Sequence, residues 1–456
     1  MTKIAQFFLI FISLFLQDTN ENTVNNISPQ KPLVVENVAI PLFAVTGFSS
    51  EQDSISMDSL KTLYCSGNVY VLKATDSLAN LFFDCKNSKQ VENLRAFIPL
   101  AKKNILVTDI KNMSNQFKAL KIDGKSFFED FKDYPLIVKN DSSKAFDYSS
   151  NITKFSLTGV TAITRNSGIA ADTYGIDFLT ENLKPHFENT DILHISNEVS
   201  FSEGCYYKVY DPNFKFCTKK EHFQALLDLG ADVIELTGNH NLDYGQTPYK
   251  QTFQWYKDQG MKTFGGGLNS EEANTPIIVK MKDGKTLGFI GFNESCPIGE
   301  CADQNKAGAN RYEREKARKV IQKLRNELKA DYIIATVQFN EVDSYAPTTT
   351  QDKISKDLLE FGADMVYGSQ AHQVQQVEFH KGKSIFHGLG NFLFDQVHRI
   401  GVRQAFFLHN YFYEGKNIQS VPVFTFIAMN RKPMLATKEE IAEMKKVVYL
   451  DSKLYK

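Results

Sequence analysis

The chain has 456 residues, 42 % hydrophobic, 23 % charged and 12 % aromatic, a balance that excludes a wholly disordered chain or a coiled coil and leaves room for two or three domains. Lys and Arg number 52 against 53 Asp and Glu, a formal charge of -1. No net attraction therefore draws the chain as a whole to nucleic acid or an anionic membrane.

One early cation, Lys3, precedes a mostly apolar run from Ile4 to Leu16 that only Gln6 and Ser13 interrupt. This length and polarity predict a signal peptide over 1–17, or an uncleaved anchor, and hence an exported protein, extracellular or in the cell envelope. Residues 18–32, polar and ending Ser28-Pro29-Gln30-Lys31-Pro32, predict a linker. Strand-like runs at Leu33 to Val45, Val69 to Leu72 and Ile105 to Val107 make 33–147 a smaller N-terminal α+β domain of accessory role. Tyr134 to Val138 predicts its last strand, before a polar stretch from Lys139 to Ser150 that marks the boundary.

Six cysteines form three sequence-local pairs: Cys65 with Cys85, Cys205 with Cys217, and Cys296 with Cys301. Export favours disulfides and short loops close most readily, so local pairing is expected. A four-cysteine zinc site competes with it, but no C-x-x-C spacing is present.

After Asn151 one unit occurs three times: an amphipathic helix, an Ala-Asp pair, an apolar strand and a polar cluster. The strands begin at Ala231-Asp232, Ala330-Asp331 and Ala363-Asp364. Helical periodicity switching to a short buried strand predicts an α/β layer architecture. We assign it to 151–430, with 431–456 as a C-terminal extension. Two further strands, Phe155 to Thr158 and Ile192 to Ile195, end in polar residues in the same way. Ligands of helix-covered sheets bind beyond the carboxyl ends of the strands, so these ends are the expected site.

Gly238-Asn239-His240-Asn241-Leu242-Asp243 follows the first of the repeated strands. An Asn oxygen and a His nitrogen both ligate divalent metals, and a nearby Asp can orient the imidazole. Gly368-Ser369-Gln370-Ala371-His372 ends the third strand, and Phe386-His387-Gly388-Leu389-Gly390-Asn391 follows. Ser196-Asn197-Glu198 adds a carboxylate, and Glu341 and Asp343 are candidates of the same kind. His194, inside a strand, reads as a hydrogen-bonded core residue; His222 and His380 read as surface residues. The absence of G-x-S-x-G, a P-loop or G-x-G-x-x-G argues against a serine hydrolase and a nucleotide-binding fold of those types.

In order and spacing, Leu157-Thr158-Gly159-Val160-Thr161 with Arg165, Asn197-Glu198, Gly238-Asn239-His240 with Asp243, Gln338 to Tyr345, Gly368 to His372, and Gly388 to Phe392 with Asp395 form a pattern. It resembles the bacterial capsule-synthesis CapA family of poly-γ-glutamate biosynthesis, a branch of the calcineurin-like metallophosphoesterase fold. The resemblance, from about Lys154 to Gln404, implies a four-layer α/β/β/α sandwich with its site at the strand ends. Three positions depart from the pattern. Val160 stands where phosphoesterases place a metal-binding Asp, and Gln338 and Gln370 stand where the family usually has histidines. Losing one carboxylate and two imidazoles predicts one divalent ion (Mn, Mg, Fe or Zn), or none, instead of a two-metal centre.

The function so implied is action on an anionic cell-envelope polymer or its precursor, of poly-γ-glutamate type, with membrane-bound capsule machinery as a partner and no nucleic acid. Glu198, Asn239, His240 and His372 would hold the ion, with His240, His372, Glu198 and the proton donor His387 as the catalytic set. Arg165, Asn197, Asp243, Gln338, Glu341, Gln370 and Asn391 would line the substrate, Arg165 facing an anionic group. The alternatives are a metal-dependent phosphoesterase and a non-catalytic binding protein with a decayed metal site.

Overall fold

A computed structural model describes residues 39–129, 131–139 and 147–455. The expected signal peptide and linker lie outside these. Among the described residues no helix is long and apolar enough to cross a membrane.

Two sheets stack face to face. In the first, the strands Lys262–Phe264, Val233–Glu235, Ile192–Asn197 and Thr153–Thr161 run parallel, and the antiparallel strands Gln404–Tyr413, Lys416–Ile427 and Pro433–Leu435 extend the edge. In the second, Thr286–Asn293, Tyr332–Gln338, Met365–Ser369 and Lys383–Phe386 are parallel, with Ile277–Lys280 and Val377–His380 antiparallel at the two edges. Phe155, Leu157 and Phe264 of one sheet meet Phe289, Ile334 and Tyr367 of the other in one apolar cluster. Helices cover both outer faces. Gln224–Leu229 and Gln246–Asp258 pack on the first sheet, while Arg314–Asn326 and Thr349–Phe361 pack on the second. The result is a four-layer α/β/β/α sandwich.

The local signals act as their chemistry requires. Thr348 and Gln351 close a capping box at the start of Thr349–Phe361, and Gly362, at φ 123°, ends it. With both faces of the parallel strands buried, those strands read as continuous apolar runs.

The smaller N-terminal sheet has the order Gln90–Val91, Tyr70–Leu72, Leu106–Asp109, Ile40–Gly47, Phe117–Ala119, with Ile137–Val138 also on Ile40–Gly47. Its core includes Tyr411, Tyr413 and Ile418 of the long hairpin of the larger sandwich, so the two regions share apolar contacts. The C-terminal segment is structural too. Met444, Val448 and Leu454 close the inter-sheet core, and the Tyr455 hydroxyl lies 2.7 Å from Ser49 Oγ.

All three disulfides are the local ones, Cys65–Cys85, Cys205–Cys217 and Cys296–Cys301. His194 is fully buried, as expected of a core residue, but it is not hydrogen-bonded as expected: neither ring nitrogen has a hydrogen-bond partner among the described residues, and its Nε2 lies 3.4 Å from Glu235 Oε2. His222 is a correction: it is 6 % exposed, stacks on Tyr207 and has its Nδ1 2.7 Å from that hydroxyl. The short helical turn Lys220–Phe223 turns it inward, which its polar neighbours in sequence did not suggest.

Three buried titratable groups, His409, His387 and Glu378, make stability fall in acid. His409 is held well below its ordinary pKa by burial, then by the charges of Lys154 and His186, and burial also lowers His387. Burial opposes ionisation of Glu378, but His387, Lys453 and Lys356 outweigh it and hold the carboxyl well below the usual range. All three folded-state values are depressed, so the unfolded chain binds protons first. The histidine contributions, present above about pH 6.5, are lost as pH falls below it, and that of Glu378 is lost below about pH 4.3. These losses are expected to lower the melting temperature between about pH 6.5 and 4, against the smaller opposing contributions of Glu300 and His240, whose pKa values are raised; a melting temperature at pH 4 equal to or above that at pH 7 would contradict this assignment.

Candidate functional site

At the carboxyl ends of the parallel strands opens a cleft of about 820 Å³ lined by Arg165, Asn239, His240, Glu341, Gln370, His372, Phe394 and Asp395, with Val209, Phe214, Met429 and Arg431 among its other walls. Its size suits a small ligand or a short polymer segment.

The two imidazoles are held alike. His240 Nδ1 lies 2.7 Å from Asp243 Oδ2, and His372 Nδ1 lies 2.8 Å from Asn391 Oδ1. The Asp243 carboxylate also accepts the Phe216 amide at 2.7 Å, and Asn391 is oriented by its own donation to the Val402 carbonyl at 2.9 Å. Both partners are acceptors, so each Nδ1 carries a proton, and in the neutral ring Nε2 is left with the lone pair. Burial lowers the pKa of His240, but the Asp243 hydrogen bond and the charges of Glu198, Asp243 and Glu300 outweigh it, and the net direction is upward.

A stack of planar groups links the two rings. Phe216 packs on His240 at 4.3 Å, the Arg165 guanidinium sits over Phe216 at 4.4 Å and over Phe394 at 5.3 Å, and Phe394 lies parallel to His372 at 4.9 Å. Arg165 Nε donates to Asp395 Oδ1 at 3.0 Å and its Nη2 donates to the same oxygen, so its charge is matched by a buried carboxylate. Arg165 thus organises the wall. Arg165, Gln370 and His372 all have positive φ, 48°, 78° and 51°, backbone strain of a kind that clusters at functional sites.

Beneath this wall, the Gln338 side-chain nitrogen donates to Glu198 Oε1 at 3.1 Å, to Asn239 Oδ1 at 2.9 Å and to Gln370 Oε1. Ser369 Oγ donates to Gln338 Oε1 at 2.7 Å, which fixes the amide's orientation. Val160 is 3 % exposed and adds only carbon.

Asn197 and His387 point elsewhere. Asn197 donates to the Tyr256 hydroxyl at 2.7 Å and to the Val199 carbonyl at 2.8 Å, within the helix-covered side of the sheet. His387 is fully buried, with Nε2 3.9 Å from Glu378 Oε2. Its ring, Asp352 and Glu378 bring three ligand-capable atoms within 4.8 Å of one another, the one such group of His, Cys, Asp or Glu among the described residues. Two ammonium groups already neutralise it: Lys356 lies 2.7 Å from Asp352 and Lys453 2.7 Å from Glu378. We read it as the ionic latch of the last helix, Asp451–Leu454, which carries Lys453.

Sequence reasoning missed Phe216, Phe394, Arg431 and Glu300. Glu300 Oε2 accepts the Leu242 amide at 3.1 Å, and burial, then the charge of Asp243, pushes its pKa up to about 7. Arg165 and Asp395 were both in the motif, but nothing in the spacing joined them.

A family model described as bacterial capsule synthesis protein PGA_cap matches residues 154–396, just over half the chain. The chain belongs to that family. Relatives of this PGA_cap protein include the capsule biosynthesis protein CapA of Bacillus anthracis, 26 % identical over 49 % of this chain and 55 % of that one. The PGA biosynthesis protein CapA of Bacillus subtilis is 25 % identical over 57 % of this chain and 67 % of that one. The chain therefore spans about half to two thirds of these relatives' lengths. Among solved structures it is similar to the NAD nucleotidase of Haemophilus influenzae (TM-score 0.35, 11 % identity, 65 % of this chain and 62 % of that one). It is likewise similar to the sulfate thiohydrolase SoxB of Thermus thermophilus (0.36, 10 %, 62 % and 48 %). The cleft residues from Arg165 to Asp395 fall inside the matched segment, whereas Met429 and Arg431 lie beyond it.

The family resemblance implies a divalent ion, and the donor set can be tested for one. The oxygens of Glu198, Asn239 and Gln370 converge as a cation's ligands would, but the Gln338 –NH2 already fills their focus, and Val160 cannot ligate. These residues do not fit a two-ion centre.

Proposed function

We propose that this PGA_cap protein is exported and binds an anionic cell-envelope polymer or its precursor, of poly-γ-glutamate type, in the strand-end cleft, working with membrane-bound capsule machinery. The observation that carries the reading is the convergence of His240, His372, Arg165 and Arg431 on one cleft. The disulfides are compatible with export. His240, whose pKa its Asp243 hydrogen bond raises, would meet a ligand carboxylate through Nε2–H when doubly protonated, and Arg431 would meet another. Gln370 and Asn239 supply amides, while Asp243, Asn391, Arg165 and Asp395 hold the rings in place.

The experiment is calorimetric titration with purified poly-γ-glutamate oligomers. His240→Ala is expected to weaken binding about tenfold, the loss of one hydrogen bond to a charged group, and His372→Ala, whose Nε2 would accept a polymer amide N–H, about fivefold, both with unchanged circular dichroism. Absence of binding, or unchanged affinity in both variants, would defeat the proposal.

A second reading, catalysis through a single divalent ion, is favoured by two features. Both Nε2 atoms are left with lone pairs, the state in which imidazole ligates a metal, and the buried Glu198 Oε2 has no hydrogen-bond partner. On this reading His240, His372, Asn239 and Glu198 hold the ion once the Gln338 amide turns away, and the ion supplies Lewis acidity. Stoichiometric metal in protein purified without added ions would establish it over the first.

A further inference from the structure

Highly exposed apolar side chains gather at the end of the molecule that carries the cleft. The Cys205–Cys217 disulfide closes a loop presenting Tyr206, Val209, Tyr210 and Phe214, each between 61 and 78 % exposed. Val209 and Phe214 also line the cleft, as does Met429, itself 59 % exposed. Ile298, fully exposed, stands in the Cys296–Cys301 loop, which Glu300 ties to the His240 loop through the Leu242 amide.

The exposure does not come from a loose loop. Tyr207 and Phe216 of the same loop are buried, and the Tyr207 hydroxyl lies 2.7 Å from His222 Nδ1 and accepts the Lys219 amide at 2.9 Å. The loop is therefore crosslinked and anchored by Tyr207, Asp211 and Phe216 while it keeps its other rings in water, an arrangement that marks an interaction surface.

Its net charge of +1, with Lys208 paired to Asp211 and Lys215 in addition, favours an anionic partner. The exposed charged side chains of the loop, Lys208 and Lys215, are both basic. Its one acid, Asp211, is buried, accepting the Asn213 amide at 2.8 Å and Lys208 Nζ at 3.2 Å. Rings with polar tips interleaved with lysines match the water–lipid boundary, where tyrosine is enriched and lysine meets anionic headgroups. We propose that the Cys205–Cys217 loop, with Ile298 and Met429 beside it, docks the cleft end of the protein on an anionic lipid bilayer. The cleft then opens at the membrane surface, whatever ligand it binds.

The test reads the loop itself, so an N-terminal anchor cannot mimic it. Full-length protein carrying Tyr210→Trp, mixed with vesicles of phosphatidylglycerol and phosphatidylcholine, is expected to show a blue-shifted indole emission that brominated lipid quenches. Trp255 of the unsubstituted protein, packed against Phe223 at 5.2 Å, is expected to do neither. Adding Phe214→Ser and Lys215→Ser, both at exposed positions, is expected to cut the quenching at least about threefold. The proposal is overturned if vesicles leave the introduced indole unshifted and unquenched, or if the two serines leave quenching unchanged. It is equally overturned if the shift arises without lipid, through self-association seen by light scattering or on adding soluble poly-γ-glutamate.

Discussion

Gly159→Ala is expected to lower the unfolding free energy by about 3 kcal/mol, the scale of an overpacked backbone contact. A Cβ at this position would stand 2.1 Å from the Gly390 carbonyl oxygen and 3.1 Å from its carbon, and neither is a side chain that can swing aside. The same carbonyl accepts the Val160 amide at 3.0 Å, and Gly390 itself has φ 80°. Pushing it away moves Asn391, and with it the acceptor that holds His372. Urea denaturation should show the lower midpoint, and polymer affinity should fall in the same variant. Gly124→Ala is the control: unlike Gly159 it is at positive φ (77°), but nothing lies within 4 Å of the added carbon, so its cost, from backbone strain alone, is about 1 kcal/mol. Equal losses at the two positions would disprove the close-approach argument.

Gln338→His combined with Gln370→His is expected to turn the cleft floor into a metal site. In the native protein the three oxygens of Glu198, Asn239 and Gln370 share the hydrogens of one amide nitrogen. The double substitution removes that donor and adds two imidazoles beside Glu198 and Asn239. Affinity for Zn or Mn should rise at least about a hundredfold, since ligand type dominates the strength of such sites. Zinc titration followed by dialysis and elemental analysis reads the change. If wild type and variant bind equally, the amide is not what keeps the ion out.

Much of the architecture was legible because each element carries its own periodicity. Apolar runs after Ala231-Asp232, Ala330-Asp331 and Ala363-Asp364 lead directly into the strands Val233–Glu235, Tyr332–Gln338 and Met365–Ser369. The disulfides followed from loop length. The site was less legible, because a motif states which residue types end a strand but not where they point. Asn197 and Glu198 are adjacent, yet one turns toward Tyr256 and the other toward Gln338. His387 precedes the Gly388–Asn391 turn that serves His372, yet its own ring faces Glu378.

By itself the amino-acid order determined the layered α/β type, the family, and the poverty of metal ligands at Val160, Gln338 and Gln370, since these depend on local pattern and residue chemistry. Only folding decided that Arg165 would be spent on Asp395 while clamping Phe216 and Phe394 between the two imidazoles, and that one glutamine nitrogen would gather three oxygens from separate strand ends. It also brought Met429 and Arg431 to the cleft from beyond the matched segment. Such contacts join residues tens to hundreds of positions apart, and the packing of two sheets, which no local periodicity encodes, sets their distances.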